Sequence, residues 1–207
     1  MTNQRFTIPT DASLQAILER PDTPPLLRLG LAETLSWQTR NETTVGRALA
    51  NPRLAPLWTA ALLALGATVA LDDGEASLAE WQKRRGARVG TLRAPVGDFR
   101  WGEARVARTP ADEPIVAAVA VVELDGGIVR QARVALVGAW REAARLAEAP
   151  SALVGGPLDE GRIRAAAEAV EREVAPRGDF RGSTEYRRAM AGVLTRRALE
   201  QCTAAGG

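Results

Sequence analysis

The chain has 207 residues, enough for one large domain or two small ones, and its 46% hydrophobic and 25% charged content is ordinary for a globular protein in water. Its formal net charge is only +2, Lys83 is its one lysine, and no arginine run separates into a basic arm, which argues against nucleic acid as a partner. With no histidine and a single cysteine, Cys202, the chain by itself has no histidine-dependent triad, histidine-ligated metal, internal disulfide or multi-cysteine cluster.

MTNQRFTIPTDAS lacks the basic segment and apolar run of a secretory signal. The longest apolar run, 60–71, is too short to span a bilayer, so a cytoplasmic protein without a membrane partner is expected. Residues 5–8 read as an entry strand. A helix follows from Pro9-Thr10-Asp11, with Asp11 as its cap and Leu14, Ile17 and Leu18 at helical spacing. Pro21 and Pro24-Pro25 break it, and a second helix is expected from Leu26 to Trp37. Gln38 to Ala50, QTRNETTVGRALA, then reads as a polar loop between leucine-rich segments.

Beyond it, a helix is expected from Leu57 to Leu65 with Gly66 as its C-terminal cap. Thr68 to Leu71 reads as a strand, Asp72-Asp73-Gly74 as a turn, and Ser77 to Arg85 as a short helix with Leu78 and Trp81 inward. Strands are expected at 88–96 and 99–108, and TPADEP, 109–114, as the boundary between two lobes. Residues 115–122 form a continuous apolar run, as in a strand buried on both faces. Asp125-Gly126-Gly127 turns the chain into a half-exposed returning strand at 128–137. The remainder reads as helical: short pieces at 141–149 and 151–155, an amphipathic helix at 158–175, and a last helix from Ser183 or Thr184. That last helix turns Tyr186, Met190, Val193, Leu194 and Ala198 toward a core. The fold class expected is α+β, with lobes at 1–109 and 110–207, the second a small antiparallel sheet packed by helices.

Thr43-Thr44-Val45-Gly46 offers a threonine hydroxyl and main-chain N–H groups to a phosphate. A lone Thr-x-Gly is common, however, and fits neither of the established glycine-rich nucleotide motifs. Arg47 brings a long side chain that either meets a phosphate or fills its place. Asp72, Asp73, Asp159, Glu160 and Asp179 read as solvated turns and helix starts rather than an acid–base pair. The five tryptophans read as packing residues and Cys202 as an incidental thiol. Within Asp179 to Arg187, DFRGSTEYR, Asp179 and Arg181 read as a structural tie between a loop and the start of the last helix.

DFRGSTEYRRAMAGVLTRRALEQC resembles the end of the FAD-binding medium subunit of the molybdenum hydroxylases, the group that includes aerobic carbon monoxide dehydrogenase and xanthine dehydrogenase. DEPIVAAVAVVELDGGIVRQARVALVGA is similar to the strand pair opening its C-terminal domain. RNETTVGRALA with ALLALGATVAL resembles its middle, flavin-contacting lobe. The resemblance implies an oxidoreductase flavoprotein subunit that carries electrons and has no catalytic residue of its own. FAD is the implied cofactor, with no metal in this chain. Thr44, Val45 and Gly46 match the pyrophosphate motif, preceded by Arg40, Asn41 and Thr43, and Arg105 stands where the family has a lysine near the flavin ring. Arg108 and Asp112 complete that pattern.

Departures are also visible. Arg47 replaces a second glycine, Pro56-Leu57-Trp58 stand where Ser-Asp-Leu is usual, and the family's glycine-rich N-terminal lobe has no counterpart. The expectation is therefore a truncated homologue of the electron-transfer subunit, with FAD held jointly with another chain and only weakly by this chain alone. Its partners would be molybdenum and iron–sulfur subunits or a separate flavin-lobe chain, with self-association also open. The alternative is a degenerate member that no longer binds FAD and serves as a scaffold, assembly or binding protein.

Overall fold

The structure, a computed structural model, describes residues 4–72, 74–84, 89–109 and 112–204. Phe6 and Ile8 are buried while Arg5, Thr7 and Pro9 face outward, and this two-residue period makes Arg5–Pro9 strand β1. Ser13, not Asp11, caps the first helix, α1 (Leu14–Glu19), its hydroxyl accepting the Ala16 N–H at 3.1 Å. Pro25 begins α2 (Pro25–Ala32), which buries Leu26, Leu27 and Leu31 and stops short of Trp37. Ser36 starts a separate helix, α3 (Trp37–Glu42), and Thr44 starts α4 (Val45–Ala50). The expected loop at 38–50 is thus two short helices joined at Thr43-Thr44. Trp37 is 67% exposed, so it is not a packing residue in this chain.

Every residue of α5 (Pro56–Leu65) is buried, and Gly66 ends it in the left-handed conformation, as expected. Strands β2 (Thr68–Leu71) and β3 (Gly74–Ser77) precede α6 (Leu78–Trp81), whose start is a reciprocal cap between Ser77 and Glu80. Strand β4 (Thr91–Pro95) completes an antiparallel sheet in the order β1-β4-β2-β3. Asp73, Arg85 and Arg88, which belong to expected elements, lie outside the described residues.

The second sheet is a meander of β5 (Arg100–Val106), β6 (Val116–Asp125), β7 (Ile128–Val137) and β8 (Ala144–Ala147), in that order. The β6–β7 hairpin turns at Asp125–Ile128 as the sequence suggests. The expected helical piece at 141–149 is instead β8 and the start of a 3-10 turn, Ala149–Leu153. Pairing with β7, Val137 opposite Ala144, overrides the helix preference of an alanine-rich stretch. Helix α7 (Glu160–Glu173), capped by Asp159, and α8 (Thr184–Ala204) cover this sheet. Leu194 and Ala198 reach the core as expected, whereas Tyr186 is 39% exposed. Cys202 is fully buried in that core rather than loose at an end.

The α+β class is therefore realised as two antiparallel four-stranded sheets with helices. The chain divides into compact units at Gly97/Asp98. The reason is β5, whose whole length from Arg100 to Val106 pairs with β6. Among the described residues no helix is long and apolar enough to cross a membrane.

Candidate functional site

The Thr-Val-Gly turn belongs to the first unit and is built by residues distant in sequence. Thr44 is extended, and its hydroxyl accepts the Arg47 N–H at 3.3 Å, as a helix cap does. The Val45 N–H donates to the Ala12 carbonyl at 2.9 Å, and the Gly46 N–H to the Thr10 carbonyl at 2.7 Å. In return the Thr43 carbonyl accepts the Leu14 N–H at 2.9 Å, so Thr44 lies opposite Ser13 in an antiparallel bridge. Ala48 closes the first helical bond, on the Thr44 carbonyl at 3.0 Å. All four N–H groups from Val45 to Ala48 thus have acceptors inside the chain.

Gly46 is explained by the same approach of the two segments. A Cβ there would lie 3.1 Å from the Thr10 carbonyl oxygen, so glycine lets α4 come close to the β1–α1 connection. Thr43 and Val45 are buried, and Gly46 is half-buried. Pro56, Leu57 and Trp58 form the fully buried first turn of α5, so their side chains serve packing.

The side chains at the turn behave differently. Arg47 is exposed, and its guanidinium donates to the Glu42 carbonyl at 3.0 Å. Among the described residues no carboxylate pairs with it. Arg40 is half-buried on α3, with Nε donating to Gln15 Oε1 at 2.7 Å and Nη1 to the Leu35 carbonyl. The Asn41 amide donates back to the Trp37 carbonyl at 2.8 Å. What this turn leaves for an anion is therefore the Thr44 hydroxyl hydrogen and the Arg47 cation, not the Val45 and Gly46 amides.

Arg105, the remaining site residue expected from sequence, lies in the second unit on β5. Its side chain is 20% exposed and stands 3.9 Å from the Glu103 carboxylate. Arg108 and Asp112 line a cavity of about 260 Å³ with Glu113, Phe180 and Arg181. Phe180 is 90% exposed at the tip of a tight turn in which Asp179 and Gly182 exchange main-chain hydrogen bonds at 3.0 and 3.2 Å. The Asp179 carboxylate also accepts the Arg181 and Gly182 N–H groups at 2.9 and 3.2 Å.

Behind this turn lies Arg187, a residue that sequence reading missed. It is buried, and its guanidinium donates to Asp179 Oδ1 at 2.7 Å, to the Ile115 carbonyl at 2.6 Å and to the Gly182 carbonyl at 3.3 Å. That hydrogen bond from Arg187, with those from the Arg181 and Gly182 N–H groups, holds the Asp179 carboxyl at about 2, below its ordinary 3.8. The only sequence signal was the regular spacing of apolar residues along α8, which puts position 187 on the core side between exposed Tyr186 and Arg188. Among the described residues no group of three or more acidic or cysteine side chains converges to hold a metal.

Residues 104–202 match the family described as CO dehydrogenase flavoprotein C-terminal domain. The glyceraldehyde dehydrogenase medium chain of Sulfolobus acidocaldarius is 25% identical over 189 residues, covering 86% of this chain and 67% of that protein. The carbon monoxide dehydrogenase medium chain of Afipia carboxidovorans is 35% identical over 115 residues, covering 55% of this chain and 40% of its own length. Among solved structures, reconstituted CO dehydrogenase from Oligotropha carboxidovorans superposes with a TM-score of 0.82 at 26% identity, covering 96% of this chain and 75% of that one. Residues 104–202 thus match the CO dehydrogenase flavoprotein C-terminal domain, and the chain is homologous to flavoprotein medium subunits of carbon monoxide dehydrogenase and related molybdenum hydroxylases.

Proposed function

We propose that this chain works as the medium-type, electron-transfer subunit of a multi-subunit oxidoreductase, with FAD as its cofactor and molybdenum and iron–sulfur subunits as its partners. One observation carries the reading: the likeness to CO dehydrogenase covers 96% of the chain. The chain's own residues supply binding rather than chemistry, since no nucleophile with an adjacent base is present among the residues named above. At the first unit's turn, Thr44 and Arg47 are the side chains that would meet the cofactor's diphosphate, with Arg40 and Asn41 leading into them. Thr43, Val45 and Gly46 would hold that turn in shape. In the second unit the reading gives Arg105 the place of the family's lysine. FAD, when bound, supplies a carrier that accepts and releases electrons.

The test is to tag the chain in its own cells, purify what it assembles with, and measure flavin, iron and molybdenum. All three are expected in the assembled complex, with weak or no colour when the chain is expressed alone. An assembled complex without flavin overturns the proposal.

A further inference from the structure

Phe180 is the most exposed large apolar side chain among the described residues, at 90%, yet the turn that carries it is tightly held. Asp179 and Gly182 exchange main-chain hydrogen bonds across that turn, and the buried Arg187 guanidinium fixes the Asp179 carboxylate from behind at 2.7 Å. The Tyr186 ring lies against it too. A Cβ at Gly182 would come within 2.9 Å of that ring, so glycine is what admits the approach. Phe180 therefore stands on a fixed backbone with only its side-chain torsions left to settle, and covering it costs little ordering entropy.

Beside the ring lies the cavity of about 260 Å³ walled by Arg108, Asp112, Glu113, Phe180 and Arg181. It falls below the roughly 300–1,000 Å³ of small-molecule sites, and its walls are charged where such sites are mostly apolar, so a side chain suits it better than a cofactor. Two guanidiniums and two carboxylates balance there, with Arg181 already 3.3 Å from Glu113. A patch of balanced sign does not repel a copy of itself, and the chain's formal net charge of +2 adds little repulsion at a distance. Knob and hollow also share one patch, as a twofold contact requires, since the same surface must serve both partners. We propose that Phe180 anchors a twofold self-association: its ring enters the cavity of a second copy, that copy's ring enters this one, and Arg108 of each faces Glu113 of the other. The residues named are far fewer than the about 20–30 a side of a standard interface, so the dimer is weak, with a Kd above about 1 μM. It does not depend on the flavin reading.

Sedimentation velocity of the full chain, from about 1 to about 500 μM, tests the proposal. A dimer that grows with concentration is expected, and a chain that stays monomeric throughout overturns it. Phe180→Asp should lower the association constant at least about tenfold with melting unchanged, because this exposed ring is an anchor of the contact and not of the core. A dimer that F180D leaves intact overturns the assignment of this face. Arg108→Glu and Glu113→Arg should each weaken association, since like charges then meet across the twofold axis. Mixed in equal amounts, the two variants should recover it, because both contacts again join opposite charges. No recovery on mixing overturns the twofold arrangement. A monomeric parent chain whose F180D variant no longer assembles with other polypeptides in its own cells overturns the second copy as occupant and gives the turn to a different protein.

Discussion

Two turns carry the most motif-like residues in this molecule, one in each unit, and they use arginine in opposite ways. At Thr43–Arg47 the main chain satisfies itself against 10–14 and leaves its guanidinium in solvent. At Asp179–Arg187 the guanidinium is buried and ties a carboxylate and the carbonyls of Gly182, Ile115 and Gly138 to the start of α8. A buried arginine each of whose three nitrogens has a partner inside the chain is a structural tie, and removing it strands those partners. An exposed arginine with one main-chain acceptor can change partners without unfolding anything. The contrast teaches where a ligand-facing group is to be sought: in the side chain the fold does not use.

Mutation separates the two roles, and the largest effect is expected at Arg187. Arg187→Ala should cost about 3 kcal/mol in urea unfolding, because the Ile115 carbonyl and Asp179 lose their partner. A loss within ~0.5 kcal/mol would show that the buried tie is idle. Thr44→Ala should cost about 1 kcal/mol, the usual value of a helix cap, and Arg47→Ala should fall within ~0.5 kcal/mol of the parent. Equal losses at positions 47 and 187 would erase the distinction between the turns.

Acid probes the same contrast. The Asp179 carboxyl is lowered from 3.8 to about 2, so its contribution is present above the unfolded value and lost as pH falls from there through about 2. Comparing parent and Asp179→Asn stabilities should therefore show a gap at neutral pH that closes below about pH 4. A gap that stays constant down to the lowest pH would mean that the carboxylate's charge plays no part. The smallest effect is expected at Cys202, whose thiol burial pushes up from 9.0 to about 12. At about pH 8 a thiol reagent should label it only as fast as the second unit opens. Immediate labelling in the folded protein would place it outside the core.

Much of the fold was legible because its signals are local. The Asp125-Gly126-Gly127 turn, the apolar run of β6 and the Gly66 cap each announce themselves within a few residues. What was illegible depends on partners far away in sequence. α4 begins where Thr10, Ala12 and Ser13 receive it, so Thr-Val-Gly read alone looked like a loop open to a phosphate. β8 is strand because β7 lies beside it, although its residues prefer helix. β5 belongs to the second unit for a similar reason, since it pairs with β6 over Arg100 to Val106. For the candidate site, residue identity at 44–47 was readable, but which of its donors were already engaged was not.

Amide hydrogen exchange at Val45 and Gly46, measured with and without FAD, tests that assignment most directly. Both amides should be protected in the ligand-free chain, through their bonds to Ala12 and Thr10, and FAD should leave their protection unchanged. Rapid exchange in the free chain that slows when FAD is added would contradict the assignment, because those amides would then be meeting the cofactor.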